Sequence, residues 1–220
     1  MWCIPEITPE YAKRMFDILD LYHEKYNPKK PVIGFDEKSK QLIEDARQPI
    51  PMKPGSSEKY DYEYIRNGTA NIFVAVEPKA GRRITEVTTQ RTKSETVLFL
   101  KRLVDEDYAD AQIVRLVLDN LNTHFEKSFY EILGITEAKR ILKRIEFHYT
   151  PKHASWLNVA EIEINVLSSQ CVGGRIKNKE LLKKEVEAWT RTRNLAKKKI
   201  DWTFTTKAAK KKLAKYLPNN

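Results

Sequence analysis

The sequence is poor in cysteine and histidine. Its 220 residues include two cysteines and four histidines. These numbers are too small for a disulfide-stabilised scaffold, and without paired cysteine spacing they also exclude a zinc finger. We therefore expect a reducing, cytoplasmic setting for this chain.

Long apolar runs are also absent. No stretch approaches the ~18 apolar residues of a membrane span. The first ten residues, MWCIPEITPE, lack the basic segment and apolar run of a secretory signal. We therefore expect neither membrane insertion nor secretion. With 41% hydrophobic and 32% charged residues, the chain has the composition of a globular domain.

The formal net charge of +10 is concentrated near the C-terminus. Residues 170–220 contain 15 lysines and arginines against four acidic residues, so the rest of the chain is close to neutral. A basic tail of this kind is typical of nucleic-acid-binding proteins, because neutralised phosphates release counterions. The alternative is a lysine-rich helix that only keeps the protein soluble.

Hydrophobic periodicity predicts an α/β fold. The predicted strands cover residues 31–36, 70–76, 83–89, 113–119 and 145–149. The first predicted helix has Thr8 as its N-cap and Pro9 as its first residue and ends before Asn27. Further predicted helices cover residues 94–104, 125–133, 158–171, 178–199 and 207–217. Residues 41–68 have the composition of a loop. Three strands followed by strand–helix alternation indicate a mixed five-stranded sheet with helices on both faces.

Two predicted strands end in aspartate, at Asp36 and Asp119. Neighbouring parallel strands present their carboxyl ends at one sheet edge, where ligands bind. Taken alone, an aspartate at a strand end is also typical of a turn. The third candidate carboxylate is Glu161 or Glu163, which point to different sides of a predicted helix. We favour Glu161, because the predicted buried stripe contains Ile162 and because the helix dipole favours an anion near the N-terminus.

Three converging carboxylates would repel one another unless divalent cations lay between them. Oxygen ligands of this kind suit Mg²⁺ or Mn²⁺, and a pair of such ions can hold both the attacking and the leaving oxygen of a phosphodiester. An acidic metal site combined with a basic tail indicates an enzyme that cuts nucleic acid.

Several separated motifs resemble the bacterial insertion-sequence branch of the mariner-like DDE transposases. They are FDEKS at 35–39, PMKPG at 51–55, YEYIRNGTANIF at 62–73, VLDNLNTH at 117–124 and HYTPKHASWLNVAEIE at 148–163. The resemblance implies a ribonuclease-H-like fold in which Asp36, Asp119 and Glu161 are the catalytic, metal-binding carboxylates. It also implies two Mg²⁺ or Mn²⁺ ions, DNA cleavage at transposon ends and strand transfer to target DNA.

The positions of other residues in the sequence suggest which of them contact DNA and how the chain is divided. Lys38, Lys152, His153 and Arg175 flank the acids in the sequence, and we predict that they hold DNA phosphates. His124 is a candidate for orienting Asp119 or a phosphate, and the alternative is a structural hydrogen bond. The predicted units are an N-terminal linker helix at 1–30, the DDE catalytic domain at 31–200 and a basic C-terminal helical tail at 201–220.

Family members act on transposon ends and target DNA, so we expect a homodimer on DNA in a bacterial cytoplasm, associated with the nucleoid when bound. Members also carry an N-terminal helix-turn-helix region, and we expect this chain to lack it, since it begins close to the catalytic domain. Two alternatives remain open. One is a truncated DNA-binding remnant or an inhibitor of a full-length transposase, and the other is a ribonuclease-H-like nuclease without strand transfer.

Overall fold

A computed structural model describes residues 7–119 and 125–216. The helices and strands in this part of the chain are α1 (Pro9–His23), β1 (Val32–Asp45), β2 (Tyr64–Glu77), β3 (Arg82–Thr88), α2 (Lys93–Arg102), β4 (Val114–Leu118), α3 (Phe125–Leu142), β5 (Ile145–Tyr149), α4 (Val159–Gln170), α5 (Lys179–Leu195) and α6 (Thr206–Lys212). No helix within these ranges is long and apolar enough to cross a membrane.

The five strands form one mixed sheet in the order β3-β2-β1-β4-β5. β2 pairs antiparallel with both β1 and β3. β4 lies parallel between β1 and β5. The predicted mixed five-stranded sheet is therefore confirmed. β3 also runs in the same direction as β1, because each is antiparallel to β2.

Helices cover both faces of the sheet, as predicted. Alternate side chains of a strand point to opposite faces, and the core follows this period. Phe73 and Ala75 of β2 pack in a cluster with α2 and α3. Ile72 and Val74 face the other way and pack with α4 and α5.

β1 is much longer than predicted. It continues to Asp45 because its distal half pairs with residues 64–69 of β2, in a region predicted to be a loop. Only Leu42 is buried among residues 41–45. A two-stranded ribbon with one buried residue lacks the alternating apolar pattern on which strand prediction depends.

Several helix boundaries also differ from the prediction, and α5 and α6 end at Leu195 and Lys212 instead of at residues 199 and 217. α2 begins after Thr92 rather than at Ser94, because Thr92 and Glu95 form a reciprocal capping box. α3 was predicted to end at residue 133, but it continues to Leu142 across a break at Gly134, where φ is 74°. Glycine adopts this left-handed conformation without a steric penalty, so the chain changes direction there and resumes the helix.

The C-terminal segment packs against α1 and against the turn that precedes α4. The rings of Tyr22 and Trp202 are 5.0 Å apart, and those of Trp156 and Phe204 are 5.9 Å apart. Thr206 also donates a hydrogen bond to Asp20 of α1. Contacts between the two ends of the described chain thus help to hold the turn that precedes α4 in place.

Candidate active site

The sheet brings Asp36 and Asp119 to the same edge. Asp36 lies in β1, and Asp119 directly follows β4. Gly34 pairs with Val117 in the parallel register of these two strands, so two residues further along the aspartates are level with each other. Both side chains line one cavity of about 110 Å³.

Asp36 is a carboxyl group whose ionisation is opposed by its surroundings. Its pKa is raised to about 7, first because it is largely buried and then because Asp119, Glu161 and Glu37 carry like charges. The backbone N–H of Glu37, which donates to Asp36 Oδ1 over 2.8 Å, opposes this shift. This side chain therefore lies where negative charges accumulate.

Asp119 is held by Thr150, the residue that directly follows β5. The Thr150 hydroxyl donates to Asp119 Oδ1 over 3.1 Å. Thr150 follows β5 and is 2% exposed, and its own N–H donates to the carbonyl oxygen of Leu118. The hydrogen bond from Thr150 thus fixes one oxygen of the Asp119 carboxylate.

Glu161 lies in the first turn of α4, where the helix dipole favours a negative charge. The helix begins at Asn158, which is fully buried and caps it by accepting from the N–H of Ala160. The Asn158 amide also donates to the carbonyl of Phe35 over 2.9 Å and lies 3.5 Å from Asp36 Oδ2. One asparagine therefore joins the start of α4 to the strand that carries Asp36.

Close packing at Gly34 fixes the distance between α4 and β1. A Cβ atom built on Gly34 would lie 2.5 Å from Val159 Cγ1 and 2.9 Å from the backbone nitrogen of Ala160. Only a glycine fits between the strand and the first turn of the helix. The requirement at this position is space, because its φ is not in the left-handed region.

The charge of Glu161 is coupled to those of the aspartates. Burial and the charge of Asp119 raise the pKa of Glu161, and Lys38 opposes this shift. Glu161 in turn contributes to the raised pKa of Asp36. Glu161 does not line the cavity shared by the aspartates, but the three predicted catalytic carboxylates lie within electrostatic reach of one another.

Glu163 faces the opposite side of α4 and has a structural environment. It is completely buried and accepts from Arg83 over 2.8 Å and from Arg193 over 2.9 Å. The side chain of Arg83 is also fully buried. The predicted buried stripe through Ile162 was wrong, since Ile162 is 39% exposed. The buried face contains Glu163 because two arginines compensate its charge.

The basic residues predicted to contact DNA lie in three different surroundings. Lys38 is close enough to Glu161 to influence its pKa. Lys152 and His153 are exposed in the turn after Thr150, where His153 has a left-handed φ of 63°. Their role in DNA binding stays a prediction.

Arg175 lies at the far end of the β1–β2 ribbon, beside the last residue of β1 and the residues that precede β2. Its guanidinium donates to Asp45 over 2.6 Å and to the backbone carbonyls of Asp61 and Glu63. These bonds occupy much of its donor capacity, and its role in DNA binding also stays a prediction. His124, the candidate for orienting Asp119, lies outside the described residues.

Sequence reasoning missed three charged residues that line the cavity, Glu37, Arg91 and Lys93. Arg91 and Lys93 lie between β3 and the first turn of α2. The capping-box pattern Thr92 to Glu95 marks that helix start in the sequence, and β3 runs parallel to β1. Together, the helix start and the direction of β3 place the strand–helix junction at the sheet edge that carries Asp36.

The donor set fits a divalent cation in its chemistry. Asp36 and Asp119 line one cavity, Glu161 is electrostatically coupled to them, and carboxylate oxygens are the ligands that Mg²⁺ and Mn²⁺ prefer. Burial first, and then repulsion by Asp119, Glu161 and Glu37, raise the pKa of Asp36, and a bound cation would favour its carboxylate form. Within residues 7–119 and 125–216, no three acidic, histidine or cysteine side chains already enclose a metal position.

Comparison with known proteins points to one family. Residues 31–183 match the family described as the DDE superfamily endonuclease, and this span contains all three candidate carboxylates. No curated protein matches the chain.

Solved structures of Mos1 share the fold. The Mos1 mariner paired-end complex with Mn matches with a TM-score of 0.58 at 13% identity, over 98% of this chain and 65% of that one. The Mos1 strand transfer complex matches with a TM-score of 0.58 at 12% identity, over 100% of this chain and 65% of that one. The chain thus spans about 65% of the length of these relatives. At this identity the likeness shows the fold, which is the ribonuclease-H-like fold expected from the sequence.

Proposed function

Because the chain belongs to the DDE superfamily of endonucleases, we propose that it is the catalytic part of a transposase. In this proposal it cuts DNA at transposon ends and joins the released 3′-hydroxyl to target DNA. The observation that carries the proposal is the register of β1 and β4, which places Asp36 and Asp119 level at one edge and on one cavity. A family match alone would not bring these side chains together.

Asp36, Asp119 and Glu161 are the residues that would hold Mg²⁺ or Mn²⁺, and we propose two ions as in the sequence analysis. Bound there, a divalent cation activates water and stabilises the charge that develops on a phosphodiester. The chain prepares this site in two ways. Thr150 fixes one oxygen of Asp119, and Asn158 connects the helix of Glu161 to the strand of Asp36.

The proton on Asp36 is part of the proposed chemistry. Since the pKa of Asp36 is raised to about 7, a large fraction of this group is protonated near neutral pH when no cation is bound. Ligation requires the carboxylate form, so cation binding must release this proton. Occupancy of the site should therefore increase with pH between about 6 and 8.

The two proposed reactions use different nucleophiles at the same centre. Water attacks the phosphodiester in the first, and the released 3′-hydroxyl attacks a target phosphodiester in the second. Neither reaction forms a covalent bond to the protein. Lys152 and His153 are exposed in the turn after Thr150, which orients Asp119, and we propose that they hold a phosphate of the bound DNA.

We further propose that the element is a bacterial insertion sequence, that the protein acts as a homodimer in the cytoplasm and that it is associated with the nucleoid when bound. The motifs quoted in the sequence analysis support the first point. The structural relatives are described as paired-end and strand transfer complexes, which supports an assembly that holds DNA.

A joining assay tests the proposal. Short duplexes with randomised terminal sequences and free 3′-hydroxyls serve as donors, a supercoiled plasmid serves as target, and the reaction contains Mn²⁺ or Mg²⁺. We expect donor–plasmid joints, identified by sequencing, that are lost in Asp119→Asn. Nicks without joints would instead indicate a nuclease without strand transfer. DNA binding with neither product would indicate a remnant or an inhibitor.

A further inference from the structure

Two basic side chains lie on the wall of the cavity that Asp36 and Asp119 share. They are Arg91 and Lys93, at the junction between β3 and α2. The sheet explains their position, because β3 runs in the direction of β1 and therefore ends at the same edge. Its last residue, Thr88, pairs with Asn71 of β2, which in turn pairs with Ser39 of β1. β3 thus ends level with a point just beyond Asp36.

Most of the hydrogen-bonding capacity of these two side chains is unused in the described part of the chain. Arg91 Nη1 is 3.6 Å from Glu37 Oε1, longer than the ~2.7–2.9 Å of a charge-assisted hydrogen bond. The Arg91 side chain is 61% exposed, so this ion pair is loose. Lys93 is exposed and forms no ion pair within the described residues. Both cations are therefore available to a ligand.

The other walls of the cavity strengthen the interaction with an anion. Phe35, Phe125 and Tyr149 supply aromatic surface, which lowers the local dielectric and makes charge–charge interactions stronger than in open water. Against the two basic groups stand the carboxylates of Asp36, Glu37 and Asp119. One bound divalent cation would change the formal charge around the cavity from net negative to net positive. The cavity would then attract a phosphate.

We propose that Arg91 and Lys93 bind a backbone phosphate of the DNA strand in this cavity and so position the strand against the carboxylates. The ligand class is a phosphodiester of DNA, and the contact carries no sequence information by itself. This inference rests on the proposed function, which supplies the DNA strand. It adds a phosphate-binding subsite made by the β3–α2 junction, separate from the predicted contacts at Lys38, Lys152, His153 and Arg175.

Fluorescence anisotropy with a labelled duplex tests the subsite through binding alone. Affinity is measured with Ca²⁺ present, at salt concentrations from about 50 to 200 mM. The test variant combines Arg91→Gln with Lys93→Gln. We expect about a tenfold or greater loss of affinity. We also expect the salt dependence to fall by up to ~0.9 log units for each lost phosphate contact.

A matched control removes the same charge at the opposite edge of the sheet. Lys139→Gln combined with Lys143→Gln changes exposed residues that precede the start of β5. This control should retain most of the wild-type affinity and salt dependence. Equal losses in the two double variants would overturn the proposal, since net charge alone would then explain binding. Wild-type binding by the test variant would overturn it as well.

Glu37→Gln separates phosphate binding from the ion pair. If Arg91 serves only to pair with Glu37, then Glu37→Gln and Arg91→Gln should both weaken DNA binding. If Arg91 binds phosphate, Glu37→Gln should strengthen binding, because it releases the guanidinium and removes a like charge from the cavity. Weaker binding by Glu37→Gln would contradict the subsite.

The binding and cleavage measurements distinguish failure of this subsite from failure of the proposed function. Wild-type protein that fails to cut DNA, while the test variant loses affinity, would refute the proposed function and support the subsite. Wild-type protein that cuts DNA, together with a test variant that binds and cuts equally well, would refute the subsite alone. Thermal melts of each variant confirm that the differences do not come from unfolding.

Discussion

The same substitution at two glutamates of α4 should have opposite consequences for stability. Glu163 is fully buried between Arg83 and Arg193, whereas Glu161 is half-buried beside like charges. Replacing each by glutamine changes one atom and removes one negative charge. The two variants have the same change in side-chain volume and lie on the same helix, so a difference in their stability reports the electrostatic environment of each glutamate.

Glu163→Gln should destabilise the protein strongly. Within the described residues, Nε and Nη1 of Arg83 have no hydrogen-bond partner, so Glu163 is the group that compensates this buried guanidinium. Breaking a buried ion pair by removing one partner costs about 3–5 kcal/mol of the free energy of unfolding. For a chain of this size each kcal/mol lowers Tm by about 2–4 °C, so the expected decrease is roughly 6–20 °C.

Glu161→Gln should leave Tm unchanged or raise it slightly in metal-free buffer. Burial, and then repulsion by Asp119, raise the pKa of Glu161, so its ionised form is disfavoured in the folded protein, and a neutral amide reduces both penalties. Calorimetry of wild type and both variants at neutral pH measures the difference. A Glu163→Gln protein that melts with wild type, or a Glu161→Gln protein that loses as much stability, would refute the assignment of these two faces.

Three further results are expected. Gly34→Ala should lower the free energy of unfolding by about 1–3 kcal/mol and abolish DNA cleavage, because the added Cβ would lie 2.5 Å from Val159 Cγ1 and displace α4. Cleavage at the wild-type rate would contradict this. Because Asp36 has a folded-state pKa of about 7 against an ordinary 3.8, its protonation stabilises the metal-free protein most below pH 4, and this contribution is lost as pH rises to 7. The difference in unfolding free energy between wild type and Asp36→Asn should change accordingly across that range, and a constant difference would contradict it. Replacing the three lysines at 210–212 by glutamine should weaken binding to all DNA sequences alike and reduce its salt dependence, although Lys210 also lies 5.1 Å over the Phe16 ring. An unchanged salt dependence would indicate that the tail only keeps the protein soluble.

Strands with a buried face were predicted from the sequence, and the strand segments without one were not predicted. All five residues of β4 are buried, β5 alternates apolar or aromatic residues with polar ones, and the prediction placed both strands within one residue of their ends. The distal half of β1 could not be found in this way, because pairing with β2 stabilises it while Leu42 is its only buried residue among residues 41–45. Backbone pairing between two distant segments leaves no local hydrophobic signal.

The candidate site was predictable in its aspartates and less so in its surroundings. A strand-terminal carboxylate can be recognised in the sequence once the parallel pairing of β1 and β4 is assumed. The roles of Glu161 and Glu163 required more, because local periodicity gave the wrong buried stripe. A glutamate can be buried in a core only when basic partners compensate its charge. Here the partners of Glu163 are Arg83 of β3 and Arg193 of α5. Their distance in sequence is why the pattern around α4 could not reveal them.

Conversion of supercoiled plasmid to nicked circles in Mn²⁺ tests the central claim most directly. If Asp36, Asp119 and Glu161 form one metal-dependent centre, wild-type protein nicks the plasmid. Asp36→Asn, Asp119→Asn and Glu161→Gln should then each abolish nicking while the variants stay folded. The exposed control Glu187→Gln on α5 should nick like wild type. Nicking that survives in any of the three site variants, or that needs no divalent cation, would contradict the account.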